Sequence, residues 1–155
     1  MTFKITALHP DLASRMRKYS RVRVKLQTKV SFLICGTQKG GTTALADYLR
    51  LHPKLHIPAR KELHFFDNES HNWNQPPYWQ YHRCCRHSHP GQLWGDATPI
   101  TMWWDPAPAR IWRYNPSIRL VVCLRNPISR AYSHWSMEYA RGKETHNFDD
   151  ALMKE

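Results

Sequence analysis

Short apolar runs and helical periodicities alternate along this chain. The run "VSFLIC" at residues 30–35 is rich in β-branched and aromatic residues and predicts a buried strand. The stretch "TTALADYLRL" at residues 42–51 predicts a helix. Four of its apolar residues share one face: Ala44, Leu45, Tyr48 and Leu49. The chain therefore opens its regular structure as strand, glycine-containing loop and helix.

The middle of the chain has a different pattern. The dipeptide "HP" at residues 52–53 ends the first helix, because proline cannot continue the hydrogen-bond ladder. An extended "LHIP" follows at residues 55–58 and leads to "KELHFFD" at residues 61–67. The segment from residue 68 to 92 has few aliphatic side chains, so we expect loop and short helix over the surface.

Strands and helices alternate again in the second half. The predicted elements are a short strand in "LWGDATP", a helix in "PAPARIWRYNP", a second buried strand in "SIRLVVCLR", a helix in "NPISRAYSHWSMEYARGK" and the start of another in "FDDALMKE". The long helix has apolar residues at core-like spacing: Ile128, Ala131, Tyr132, Trp135 and Tyr139. This alternation predicts an α/β fold with a parallel sheet flanked by helices, and ligands bind such sheets at the carboxyl ends of the strands.

Composition narrows the class of protein. With 155 residues the chain is the size of one domain, and residues 1–29 form a basic lead-in that lacks sustained periodicity. Lysine and arginine total 23 against 12 acidic residues, for a formal net charge of +11. This excess favours anionic partners such as nucleotides, nucleic acid, acidic sugars or membrane surfaces.

Cellular location and metal binding follow from similar arguments. No stretch approaches the ~18 apolar residues that a membrane span needs, and the N-terminus has no apolar core of a secretory leader. Four cysteines are too few and too oddly placed for a disulfide framework, so we expect a cytoplasmic protein. The adjacent cysteines in "YHRCCRHSH" cannot easily share one tetrahedral zinc, and we predict no metal site.

The loop "CGTQKGGTTAL" at residues 35–45 is similar to a phosphate-binding loop with a displaced lysine. Gly36 and Gly41 keep the glycine spacing of G-x-x-x-x-G-K-[ST], but Thr42 occupies the lysine position. The lysine is Lys39, inside the loop. The structural alternative is a glycine-rich turn between strand and helix.

Adjacent glycines let successive amides point at an anion, and the following helix adds the partial positive charge of its N-terminus. We therefore expect Gly40, Gly41, Thr42 and Thr43 to hold a phosphate, with Lys39 supplying a formal charge.

A second phosphate-binding feature lies in "LRNPISRAYS" at residues 124–133. Arg125 ends the predicted strand, and Arg130 and Ser133 lie on the helix that follows. A strand-end guanidinium and a helical hydroxyl could hold a second phosphate. A helix cap with surface arginines is the alternative.

In this order, "GTQKGGTTAL", "KELHFFD" and "LRNPISRAYSHW" closely resemble the sulfotransferases that use 3′-phosphoadenosine 5′-phosphosulfate (PAPS), particularly the heparan sulfate sulfotransferase-like group and its bacterial relatives. The resemblance covers roughly residues 30–155 and implies a P-loop NTPase-like fold. It also implies that the family domain continues beyond residue 155, so we expect the chain to hold its N-terminal part.

The resemblance implies a role for each matching residue. Lys39 would neutralise charge on the departing phosphate, while the loop from Gly40 to Thr43 cradles its oxygens. Arg125 and Ser133 would hold the 3′-phosphate. A PAPS co-substrate needs no magnesium bridge, and the acceptor would be a hydroxyl or amine, most simply on a carbohydrate.

Glu62 matches the family's general base, which takes a proton from the acceptor. His64 would lie on the same face of an extended segment and orient base or acceptor. A solvated strand edge is the alternative for both. In "GDATP", Ala97 occupies the place of a family lysine, and Asp96 receives no role.

Two other functions compete with sulfuryl transfer. A P-loop kinase or NTPase would need a lysine at position 42 and an acidic residue that holds magnesium. A basic nucleic-acid-binding module would fit the charge and the aromatic residues, but no recognisable binding motif accompanies them.

Overall fold

The structure is a computed structural model that describes residues 29–154. The basic lead-in predicted for residues 1–29 therefore lies, apart from Lys29, outside the described residues.

Four parallel strands form one sheet. They are β1 (Val30–Gly36), β2 (Leu55–His56), β3 (Leu93–Ala97) and β4 (Arg119–Cys123). Their order across the sheet is β2, β3, β1, β4, and every neighbouring pair is parallel. Leu33 in β1 pairs with Asp96 in β3 and Leu120 in β4, so β1 is central. The predicted α/β fold with a parallel sheet is confirmed.

Helices connect the strands. They are α1 (Thr42–Arg50), α2 (Tyr78–Arg83), α3 (Ala107–Tyr114), α4 (Pro127–Ala140) and α5 (Phe148–Leu152), with a short 3₁₀ helix at Pro99–Met102. A glycine loop joins β1 to α1, and β4 runs into α4 through Asn126. Because β1 and β4 are adjacent and parallel, both connections begin at the same edge of the sheet.

The core lies on both faces of β1. Val30 and Leu33 pack in one cluster of buried residues with Phe66, while Phe32 and Ile34 pack in the other with Ala46. The first cluster is rich in aromatic residues, and Phe65 stacks on Tyr81 with ring centroids 4.6 Å apart. These clusters hold β1 rigidly beneath the glycine loop.

The expectation that residues 68–92 only cover the surface is wrong in part. The short helix is present as α2, but Tyr81 and Cys85 are buried in the core, and Trp73 and Tyr78 pack against it. Aromatic rings bury as much apolar area as aliphatic side chains do, so a segment poor in aliphatics can still build a core. Burial also raises the pKa of the Cys85 thiol to about 12.

The prediction of a second buried strand is also wrong in its burial. β4 lies at the edge of the sheet, with Leu120 56% and Val122 49% exposed. No residue of α4 is fully buried either, and Tyr132 and Trp135 pack instead against Phe148 of α5. An apolar sequence favours burial of a strand or helix, but the layers that pack against this element determine whether its side chains are buried.

The predicted apolar face of α1 is shifted. Thr42 and Ala46 are buried, Leu45 and Leu49 are partly buried, and Tyr48 is exposed. The small Ala46 lies closest to the sheet, which brings the N-terminus of α1 close to the end of β1.

Within residues 29–154, the helices are too short and too polar to cross a bilayer.

Candidate active site

The glycine loop packs tightly against the end of β4. A Cβ atom at Gly36 would lie 2.1 Å from the Cys123 carbonyl oxygen, and one at Gly40 would lie 2.8 Å from the same atom. The Thr37 amide donates to that carbonyl oxygen at 3.1 Å. Glycine is therefore required at positions 36 and 40 by close backbone approach, which fixes the loop at the carboxyl edge of the sheet.

The glycine loop leads directly into the uncapped N-terminus of α1. Gly41 is the N-cap of α1 with φ of 95°, and no side chain in residues 29–154 caps the first turn. The amides of Thr42 and Thr43 begin the helix, where backbone N–H groups have no partner within it. Gly40 differs from the expectation, because its amide donates to the Thr37 carbonyl at 2.9 Å. The first turn of α1 can thus bind an anion, while Gly40 shapes the loop.

Lys39 has left-handed backbone, with φ of 63°. Its carbonyl oxygen accepts a hydrogen bond from Arg125 Nη1 at 3.3 Å, which ties the glycine loop to the end of β4. Lys39, Arg125 and Ser133 line one open cavity of about 560 Å³. The two loops predicted to hold separate phosphates therefore meet at one cationic surface.

The start of α4 positions Ser133. Asn126 is the N-cap, and its Oδ1 accepts from the amides of Ile128 at 3.1 Å and Ser129 at 3.3 Å. Pro127 at the first helical position needs no hydrogen-bond partner for its nitrogen. The sequence "NP" thus starts the helix directly after Arg125, and Ser133 lies on the turn that faces the same cavity.

The segment that carries Glu62 and His64 is not extended, which corrects the expectation. Glu62 has φ of 57° and His64 has φ of 51°, both in the left-handed region. The Glu62 amide donates to the Ala97 carbonyl at the end of β3, at 3.0 Å. The two side chains still meet, with His64 Nε2 3.6 Å from Glu62 Oε2. The backbone of this segment is irregular and anchored on β3, and it still brings the Glu62 and His64 side chains together.

Asp67 is a site residue that the sequence reasoning missed. Its side chain is only 7% exposed, and its Oδ2 lies 2.6 Å from His64 Nδ1. An ionised carboxylate only accepts hydrogen bonds, so this contact is satisfied when Nδ1 carries the proton. The signal in the sequence was the spacing of acid, histidine and acid in "ELHFFD".

A cleft of about 630 Å³ lies beside this segment. It is lined by the glycine loop, Glu62, His64, Trp103 and both Arg125 and Arg130. Arg125 also lines the Lys39 cavity, so the two spaces adjoin at this guanidinium. Arg125 therefore borders both spaces. Glu62 and His64 line the cleft with it, and Lys39 and Ser133 line the adjoining cavity with it.

Asp96 is structural and does not face the cleft. It is 1% exposed and accepts hydrogen bonds from Tyr81 Oη at 3.0 Å and Thr98 Oγ1 at 2.9 Å. Burial raises its pKa to about 6, although these two hydrogen bonds oppose the shift. Its neighbour Ala97 contributes only a carbonyl oxygen, as the anchor of Glu62.

The positions of strained backbone coincide with the predicted catalytic residues. Among residues 29–154, the non-glycine residues with positive φ are Lys39, Glu62 and His64. Each such conformation costs roughly 1–2 kcal/mol for a residue with a Cβ atom. Strain of this kind is retained where the surrounding structure imposes it, and it concentrates at functional sites.

Comparison with known proteins agrees with this geometry. The sequence model of the family described as "sulfotransferase domain" matches residues 29–154. Human heparan sulfate glucosamine 3-O-sulfotransferase 5 is 34% identical over 151 residues, which is 95% of this chain and 42% of that protein. Mouse heparan sulfate glucosamine 3-O-sulfotransferase 6 is 35% identical over 109 residues, 70% of this chain and 30% of that protein.

A solved structure is similar as well. The crystal structure of a sulfotransferase from Alicyclobacillus acidocaldarius superposes with a TM-score of 0.69 at 27% identity, over 81% of this chain and 56% of that one. This likeness confirms the predicted P-loop-like fold. The chain thus spans less than half of the relatives it matches in sequence and just over half of this structure. Its glycine loop, strand-end arginine and Glu62 segment lie within the matched residues, and the chain belongs to the sulfotransferase domain family.

Proposed function

We propose that this chain binds PAPS and transfers its sulfuryl group to a hydroxyl or amine of a carbohydrate acceptor. The observation that carries the proposal is the coincidence of left-handed backbone with Lys39, Glu62 and His64, around the carboxyl edge of the sheet. The names of the relatives, which are glucosamine sulfotransferases, support a carbohydrate acceptor.

The donor would span the first turn of α1 and the cavity that Lys39, Arg125 and Ser133 line. The first turn of α1 would hold the 5′-phosphosulfate through the amides of Thr42 and Thr43, in line with the helix dipole. Arg125 and Ser133 would hold the 3′-phosphate in the cavity that they share with Lys39. Lys39 lies on this side, from which its flexible side chain can move to the phosphate that leaves.

Glu62 would act as the general base in the adjoining cleft. It takes the proton of the acceptor hydroxyl, so the acceptor oxygen forms a bond to sulfur while the bond between sulfur and the bridging oxygen breaks. The electron pair of that bond stays on the 5′-phosphate of adenosine 3′,5′-bisphosphate. His64, held by Asp67, keeps its ring beside the Glu62 carboxylate.

The competing functions have less support. Thr42 at the kinase lysine position and the match to the sulfotransferase family both count against nucleoside triphosphate chemistry. A nucleic-acid module is not favoured, because the sulfotransferase family match extends over residues 29–154 and no nucleic-acid-binding motif accompanies the basic residues. The cytoplasmic location stays a prediction.

Calorimetric titration with adenosine 3′,5′-bisphosphate tests the donor site, with ATP and magnesium as the comparison. We expect the bisphosphate to bind more tightly, and Arg125→Ala to weaken it about tenfold or more through loss of a charge-assisted contact. Preference for ATP, or equal binding by the Arg125 variant, would contradict the site.

Glu62→Gln separates catalysis from donor binding. We expect bisphosphate affinity within about twofold of the original chain, but sulfuryl transfer to a glucosamine-containing oligosaccharide reduced at least about 100-fold, because the amide cannot accept a proton. Transfer measured with radiolabelled PAPS checks this. Full turnover by the variant would exclude Glu62 as the base.

A further inference from the structure

Lys61 lies between the proposed donor site and the proposed base. Its Nζ is 2.5 Å from Thr43 Oγ1 and 3.3 Å from Thr42 Oγ1, both at the start of α1. The same nitrogen is 3.2 Å from Glu62 Oε1. The side chain as a whole is only 22% exposed, and its ammonium contacts all three partners.

An ammonium in this place is not explained by helix stability. The N-terminus of a helix carries partial positive charge, so a cation beside it is unfavourable by roughly 0.3–1 kcal/mol. Glu62 balances one charge, but Arg125 and Arg130 line the adjoining cleft and add two more. An anion that contacts the helix start and Lys61 together would balance this local charge.

The directions of the hydrogen bonds that Lys61 makes also indicate an anionic ligand. An ammonium has donors only, so the hydroxyl oxygens of Thr42 and Thr43 accept from Lys61. Each hydroxyl keeps its own proton, which is polarised by the lysine and free to donate to an anion. Lys61 thus prepares two further donors at the first turn of α1.

We propose that Lys61 binds the sulfuryl end of the donor and holds Glu62 in position for proton abstraction. This inference rests on the proposed function and extends it. Lys39 lines the cavity that contains Ser133, whereas Lys61 contacts the start of α1. Lys61 keeps its three protons throughout: the acceptor proton goes to Glu62, and the departing bisphosphate takes the electron pair of the broken bond between sulfur and oxygen. The ammonium stabilises charge on the sulfuryl oxygens during transfer.

Two ligands that differ by the sulfuryl group test the proposal. Calorimetry compares PAPS with adenosine 3′,5′-bisphosphate on the original chain, Lys61→Met and Lys61→Arg. The matched control is Lys54→Met, which changes an exposed lysine just before β2. We expect Lys61→Met to weaken PAPS about tenfold and the bisphosphate less than about threefold, because only PAPS reaches the lysine. Lys61→Arg should recover most of the loss, and Lys54→Met should bind both ligands normally.

Thermal unfolding without ligand gives the second readout. A purely structural lysine would lower the melting temperature on replacement, whereas Lys61→Met removes a cation from a helix N-terminus and should leave it unchanged or higher. Equal effects on the two ligands, or none, would overturn the role of Lys61 and leave the proposed function in place. An original chain that binds neither ligand would overturn the proposed function and this inference with it.

Discussion

Three residues in left-handed backbone hold the predicted chemistry of this chain. Lys39 gains that conformation from the loop closed by Gly36 and Gly40 against β4, and its carbonyl is then oriented toward Arg125. Glu62 gains it from the hydrogen bond to Ala97, which fixes the start of its segment. At each position the surrounding contacts offset the local cost.

The strain at Lys39 can be measured by comparing Lys39→Gly with Lys39→Ala. Both variants lose the ammonium, but only glycine adopts φ of 63° without a Cβ penalty. We expect the glycine variant to have the higher free energy of unfolding, by about 0.5–1 kcal/mol, in urea denaturation. Equal stability would show that the backbone at position 39 is relaxed.

Asp96 makes stability depend on pH. Its pKa is raised by burial from 3.8 to about 6, so the folded state holds its proton more tightly than the unfolded state. The stabilisation is fully present below about pH 3.8 and is lost as pH rises through about 6. Relative to Asp96→Asn, the free energy of unfolding should fall on the order of 3 kcal/mol between pH 4 and 7. Denaturation curves that run parallel across this range would contradict the assignment.

At the level of elements, the segment behind Glu62 and His64 is fastened to α3 by Arg110. Its Nη1 donates to the Phe66 carbonyl at 2.9 Å, and its guanidinium lies 4.1 Å from the Trp73 ring. Both terminal nitrogens also contact Glu69, whose pKa is lowered by the hydrogen bond from Arg110 and then by the one from Trp104. The segment that carries Glu62 and His64 has no regular structure of its own, so these contacts help to hold it in place.

Replacing Arg110 should therefore loosen the site. We expect Arg110→Met to lower the free energy of unfolding by about 1–2 kcal/mol, because the stack on Trp73 and the bond to the Phe66 carbonyl are lost. Arg86→Met is the control, since Arg86 is exposed and, within residues 29–154, its side chain hydrogen-bonds only to its neighbour His87. Urea denaturation measures both, and equal effects would remove the special role of Arg110.

At the level of the whole molecule, the described chain exposes apolar residues along one edge of the sheet. Leu120 and Val122 lie on the same face of β4, Leu124 follows directly after the strand, and all three are exposed. Strand β4 pairs only with β1, so its outer edge also presents unpaired backbone groups within the described residues. Exposed apolar edge strands pair readily with other chains.

Self-association through β4 is the expected consequence. Sedimentation velocity should show larger species as the protein concentration rises, and Val122→Lys should shift them toward monomer because a charge would be buried on pairing. Bisphosphate binding serves as the control, since Val122 lies outside both site cavities. A concentration-independent monomer would contradict this prediction.

Local sequence determined most of the elements and the loops that carry the predicted site residues. The glycine spacing from Gly36 to Gly41 required a tight loop after a strand, and "NP" at residues 126–127 required a helix start after Arg125. These features depend on a few neighbouring residues, because glycine, proline and apolar periodicity act within one or two turns. The parallel direction of neighbouring strands followed from their alternation with helices.

Tertiary packing decided the rest. The lateral position of β4 left an apolar strand exposed, and the anchor of Glu62 on Ala97 replaced an extended segment with left-handed turns. The contacts of Lys61 with α1 and of Asp67 with His64 join side chains whose neighbourhood depends on how the segment folds back over the sheet. Such contacts join residues that are distant in sequence or strained in backbone, and forming them costs conformational entropy. The packing that offsets this entropy exists only in the folded chain.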